Sequence, residues 1–178
     1  EPGPEACQQG PAAEHFVRPG HGGVPVAGAD QVVYSDDVEN GTGLFTAAGS
    51  GAGANFTIVT SASSSPSHAW FVPDPAGISD RQLVLPLDLS DAVGQVLLRF
   101  EHRYATEDGY DGSVLEYSLD GTQWHDILAG NGGAIPANPA RFVTGGYNST
   151  IGTGFSNPIG GRQAWSGNVG SSFVPAQV

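Results

Sequence analysis

LLRFEHRYATEDGYDGSVLEYSLDGTQWHDIL, residues 97–128, combines strand periodicity, turn chemistry and clustered acids in one stretch. Leu98, Phe100, His102 and Tyr104 fall on one face of a period-two run, which predicts a half-buried strand with His102 as a hydrogen-bonded core imidazole. Val114, Glu116 and Ser118 alternate with Leu115, Tyr117 and Leu119 in a second run, and a third strand follows toward Leu128. Asp120-Gly121 predicts a two-residue hairpin reversal between them, because both residue types tolerate positive φ. Trp124 is expected to pack beside that hairpin. The acidic connection Glu107-Asp108-Gly109-Tyr110-Asp111-Gly112 separates the first two runs.

Outward from this stretch, short apolar or alternating runs recur at 31–34, 55–60, 69–72, 82–85, 141–143 and 163–165. Gly (27) and Pro (13) fill the intervals of the 178-residue chain, and the only helical spacing, at 90–93, spans about one turn. Strands at intervals of about ten residues predict an all-β fold, an antiparallel β-sandwich of jelly-roll type with long Gly/Pro-rich loops. Residues 1–30 read as a Pro/Gly-rich N-terminal linker or leader, and 31–178 as one domain. The apolar residues at 173–178 resemble the start of a strand, so the domain is expected to be truncated at its C-terminus. Its closing strands would then come from the rest of a parent polypeptide or from a partner chain, since open sheet edges are otherwise left unpaired.

The formal charge is 6 minus 18, or −12, and every positive residue is Arg. Such a surface repels phosphate, which excludes nucleic acid as a partner. No apolar run approaches the ~20 residues of a membrane span. Cys7 is the single cysteine and can form no internal disulfide. The chain has no Met and begins at Glu1, which points to processing and an extracellular location, secreted or cell-surface. Asn-x-Ser/Thr triplets at Asn40, Asn55 and Asn148 read as chance sequons in a composition resembling that of a high-GC bacterium.

Asp36, Asp37, Glu39, Glu107, Asp108 and Asp111 form the one acid set that could carry chemistry. Calcium takes six to eight oxygens at ~2.3–2.6 Å, from carboxylates and carbonyls on loops able to wrap it. A solvated acidic rim accounts for the same residues, as does a carboxylate pair ~5–9 Å apart in a glycoside hydrolase. Tyr110 and Tyr147 lie in Gly-rich loops and are candidate ligand contacts. Ser118-Leu119-Asp120-Gly121-Thr122-Gln123-Trp124 is similar to a propeller Asp-box but is one residue short and unrepeated. No His-Glu-x-x-His, nucleophile-elbow or phosphate-loop pattern accompanies the five histidines and the Gly-rich stretches, so no catalytic residue is assigned.

One family resemblance follows from order along the chain. Trp70-Phe71, Asp74, Ser79-Asp80, Leu83, Pro86-Leu87-Asp88-Leu89-Ser90, Leu98-Arg99-Phe100, His102, Tyr104, Glu107, Tyr110-Asp111-Gly112, Leu115-Glu116-Tyr117-Ser118, Asp120-Gly121 and Trp124 form a series that resembles the MAM-like jelly-roll domain. That domain occurs in bacterial secreted proteins, among them immune inhibitor A-type metallopeptidases and anchored cell-surface proteins. Asp37-Val38-Glu39 resembles the family's opening Asp/Phe-Glu element, with Val in the aromatic place, and GRQAWSG at 161–167 is similar to its Gly-Arg-x-Ala-Trp-x-Gly segment. The family's closing Gly-Trp-x-x-Asp-Asp-like element has no counterpart here. The resemblance implies a structural calcium held by Asp37, Glu39, Glu107 and Asp111.

Together these readings predict a non-catalytic accessory or adhesion module of a secreted or cell-surface bacterial protein, contacting a protein or a glycan. Two alternatives stand beside it: a subunit of an extracellular structural assembly completed by a neighbouring strand, and a sandwich-fold glycan hydrolase.

Overall fold

The computed structural model describes residues 7–8, 31–92, 94–128 and 142–178. Most of the expected leader, 1–30, lies outside the described residues, as does Arg141 of the 141–143 run. Among the described residues there is no helix, and the strands form small antiparallel sheets. In chain order they are β1 (Cys7–Gln8), β2 (Thr46–Gly51), β3 (Thr57–Val59), β4 (Ala69–Phe71), β5 (Ser79–Val84), β6 (Arg99–His102), β7 (Tyr104–Ala105), β8 (Glu116–Tyr117), β9 (His125–Asp126), β10 (Ser149–Thr150), β11 (Gln163–Ala164) and β12 (Val174–Gln177). The all-β character therefore agrees with the composition.

The run 163–177 is hydrogen-bonded on two sides. On one side β12 pairs with β6, Asn168 bridges Ala105 and Trp165 bridges Ser113. On the other, β11 pairs with β10 and Gln177 bridges Thr144. The expected strand at 173–178 is thus present as β12 and has neighbours at both edges. Side chains from these elements meet in a core of Phe100, Tyr104, Trp165 and Ala176, with Leu98, Leu115, Phe142, Tyr147 and Val169 against it. The expected alternation holds in β6 and β7, where Phe100, His102 and Tyr104 are buried. Trp165 stacks edge-on with Phe100, Phe142, Tyr147 and His102, at centroid distances of 4.5–5.7 Å. Rings in such T-shaped contacts add attraction beyond their buried area.

The GRQAWSG segment delivers that ring. Ala164, Trp165 and Ser166 are all nearly inaccessible, and the Trp165 indole N–H donates to the Gly145 carbonyl at 2.8 Å. Gly112 permits the close approach: a Cβ there would sit 2.8 Å from the Trp165 carbonyl oxygen. Arg162 turns the other way and ties the segment to the β8–β9 hairpin, donating to Glu116 at 2.7 Å and to Asp126 at 2.6 Å.

In the first half of the chain β2 pairs with β5 and β3 with β4. Ala69, Trp70 and Val72 are buried there, and Phe45 packs on Trp70 at 5.9 Å. The Arg81 guanidinium of β5 donates to the carbonyls of Ser50, Gly51, Ala52 and Gly53 and the Arg81 Nε–H to that of Ala54, closing the end of β2.

Three local expectations differ from the structure. Residues 31–34 form no strand; instead the Tyr34 hydroxyl donates to Asp36. The β8–β9 reversal is not a two-residue turn, because residues 118–124 lie between the innermost pair, Tyr117 and His125. Asp120 Oδ1 accepts from the N–H groups of Thr122 and Gln123, both at 2.8 Å, so its side chain replaces the ladder bonds that a tight turn would have made. Trp124 lies on this wider loop and is 43% exposed rather than packed beside the hairpin.

Candidate functional site

The connection after β7 is built from its backbone upward. Glu107 accepts at its carbonyl from the N–H groups of Tyr110 and Asp111, both at 3.0 Å, which curls 107–111 into one turn. Gly109, at φ 75°, takes the left-handed position in it. The buried Ser166 hydroxyl accepts from Gly109 N–H at 2.9 Å and donates to the Asp111 carbonyl at 2.6 Å. Thr106 donates to that same carbonyl at 3.0 Å. Asn148 holds Ser166 in place with its whole amide, donating to the Ser166 carbonyl and accepting from its N–H.

This turn brings Glu107 and Asp111 into electrostatic range of each other, and Asp74, from the segment after β4, joins them. Partial burial, then Asp111 and Glu107, push the Asp74 carboxyl up to about 6. Asp111 is raised by its own burial and then by Glu107. Asn157 reaches Asp111 Oδ1 only at 3.4 Å, and no donor among the described residues bonds the Asp74 carboxylate. Asp74 and Asp111 thus resist ionisation beside Glu107, and carboxylates brought together from two segments remote in sequence are the donor type that a hard divalent cation takes. Among the described residues no three His, Cys, Asp or Glu side chains converge closely enough to enclose an ion as they stand.

Glu39 belongs to a different cluster. Its Oε1 accepts from the N–H groups of Ser67 and His68, both at 2.9 Å, and its Oε2 from Ser67 Oγ at 2.5 Å and His68 Nδ1 at 2.8 Å. These bonds, those of Ser67 first and His68 next, lower its carboxyl to about 2. Asp37 accepts from Glu39 N–H at 3.1 Å, and Asp36 from Val38 N–H at 2.7 Å. Between them Val38 is buried at a left-handed φ of 65°, an uncommon backbone for a β-branched residue. The opening turn therefore inserts Val38 as an apolar plug, and Glu39 clamps it to the 65–68 loop. No hydrogen bond or ion pair joins this clamp to the 107–111 turn among the described residues.

Tyr110 is 41% exposed and its ring lies 4.3 Å from that of Phe155, itself 55% exposed. Tyr147 is packed against Trp165 and Phe142, and its hydroxyl donates to the Leu115 carbonyl and accepts from Leu115 N–H. It also lines an open polar depression with Asn148, Ser149, Thr150 and Gln163. Asp74 and His68 are the partners that the spacing of acids alone did not single out; both precede or follow β4, within a few residues of Trp70.

No known family model, no curated protein and no solved structure matches the chain.

Proposed function

We propose that the chain is a non-catalytic accessory or adhesion module of jelly-roll, MAM-like type, working outside a bacterial cell as part of a secreted or surface protein. It presents loops from a scaffold stiffened by structural calcium. The observation that carries this reading is the approach of Asp74, across the fold, to Glu107 and Asp111: burial, then Asp111 and Glu107, raise the Asp74 carboxyl, and burial, then Glu107, raise that of Asp111. A divalent ion between them would offset that repulsion and pin the segment after β4 to the turn after β7. Asp37 and Glu39, two of the acids the family resemblance singles out, already accept hydrogen bonds, Asp37 from its own turn and Glu39 from the 65–68 loop, so Asp74 replaces them in the proposed ligand set.

The turn so fixed carries Tyr110, and the loop cross-linked to it by Asn157 carries Phe155, whose ring lies 4.3 Å from that of Tyr110. Thermal melting tests the reading. Binding to the native state alone raises stability with ligand concentration. Excess calcium should raise Tm by several degrees over the chelated protein, and Asp111→Asn should abolish the difference. Identical melting curves in calcium and in chelator reject the metal-stiffened scaffold.

A further inference from the structure

We propose that Tyr110 and Phe155, with Asp108 on the same turn as Tyr110, form a docking point for an arginine-bearing peptide segment of a partner protein. This deepens the reading as a contact module and rests on it. The two rings come from separate loops and are held apart from the core by cross-links rather than by burial. Gly152 N–H donates to the Gly109 carbonyl at 2.7 Å, and Asn157 Nδ2 donates to the Tyr110 carbonyl at 2.7 Å. Ser156, directly after Phe155, adopts a left-handed φ of 57°, a conformation of higher energy for a residue with a side chain. The loops thus keep two large apolar rings at the surface, in fixed positions, at some conformational cost.

The chemistry around the rings selects the occupant. Asp108 is exposed on the same turn as Tyr110, its Oδ1 accepting from Ser149 Oγ at 3.2 Å, in a chain of net charge −12. A guanidinium group can lie on an aromatic face and donate a paired hydrogen bond to a carboxylate at once, which an ammonium does less well. The ring half of such a contact occurs within this chain, where the Arg103 guanidinium lies 5.6 Å from the Phe173 ring centre and donates to the Ser171 carbonyl. A sugar is a poorer fit. Tyr110 and Phe155 are tilted by 47° and offer no common plane for a pyranose face, and a neutral sugar gains nothing from the long-range attraction of a chain of net charge −12.

The test is calorimetric titration of the intact chain, in calcium, with the peptide acetyl-Gly-Arg-Gly-Arg-Gly-amide. A Gly/Ser peptide of equal length and a neutral chitin pentasaccharide serve as comparisons. The Arg peptide should bind, weaken with added salt, and lose at least tenfold in affinity in both Phe155→Ala and Tyr110→Ala. Asp88→Asn, which removes an exposed acid elsewhere, should leave binding unchanged. No binding by the parent chain, equal binding by Phe155→Ala, or preference for the pentasaccharide would overturn the proposal. The calcium-dependent melting shift, recorded on the same samples, reports on the scaffold separately: Phe155→Ala should retain it. A retained shift with no peptide binding removes only the docking point, and binding without any shift removes only the metal.

Discussion

The hydroxyl of Ser166 donates a 2.6 Å hydrogen bond to the carbonyl of Asp111, 55 residues earlier in the chain. That bond carries the geometry of the acidic turn into the core, because Ser166 follows Trp165 and is as fully buried. Ser166→Ala would leave Gly109 N–H without its acceptor and deprive the Asp111 carbonyl of one of two donors. An unmade buried hydrogen bond of this kind costs about 1–3 kcal/mol. The variant is expected to melt lower than the parent in chelator, and to show a smaller calcium shift because the turn is no longer held. A denaturant midpoint unchanged within error would show that Thr106 alone suffices to hold the turn.

The Asp74 carboxyl titrates near 6 in the folded protein, against 3.8 unexcited by burial or neighbours. Its folded value is raised, so its contribution to stability is fully present below pH 3.8 and is lost as pH climbs through 6. Asp111 shifts in the same direction. In chelator, Asp74→Asn should therefore raise Tm at pH 7 and leave it nearly unchanged at pH 4; in calcium the advantage should vanish or reverse. Melting curves at pH 4, 5, 6 and 7 check this, and a variant less stable than the parent at pH 7 in chelator would contradict it.

Arg162 joins β11 to both strands of the β8–β9 hairpin through Glu116 and Asp126. All three side chains are partly exposed, so the attraction is screened and the network is worth less than a fully buried one. Arg162→Ala is expected to cost about 1–2 kcal/mol, leaving two acids facing each other, while Arg162→Lys recovers only part because the fork that reaches both carboxylates is lost. Urea midpoints for the two variants measure the difference; equal midpoints for Lys and Arg would show that charge alone matters.

Much of the fold is legible where side chains dictate it. Phe100, His102 and Tyr104 alternate in the chain and are buried together, and the strands around Ile58, Trp70 and Leu83 follow their apolar runs. By contrast β2, TAAGSG, has no periodicity to read; its place is set by backbone pairing with β5 and by Arg81 closing on its last carbonyls. The loop at Asp120 was likewise hidden, since the same Asp-Gly pair serves a tight turn or a side-chain-capped loop. In the site, Glu107 and Asp111 are visible as neighbours in one acidic turn. Asp74 is not, because its approach depends on where the chain after β4 crosses that turn, and nothing local encodes it. Glu39 is an acid of the expected type whose carboxylate is taken up by Ser67 and His68.

His102 supplies the opposite pH signature to Asp74. It is 3% exposed, enclosed by the rings of Phe100, Tyr104 and Trp165, and its Nε2 has no hydrogen-bond partner, so the expected core imidazole is present but incompletely bonded. Burial depresses its titration from 6.5 to about 4. The unfolded chain takes up the proton first as pH falls, so the contribution of His102 is fully present above pH 6.5 and is lost on the way down through 4. The full difference is on the order of 3 kcal/mol, similar in size and opposite in sign to that of Asp74. His102→Leu removes both the proton site and the unpaired nitrogen. Its stability should fall less than that of the parent between pH 6.5 and 4, with the two curves converging in acid even if the variant starts lower at pH 7. Parallel curves across that interval, measured by urea unfolding in chelator, would show that the imidazole is not the group that titrates.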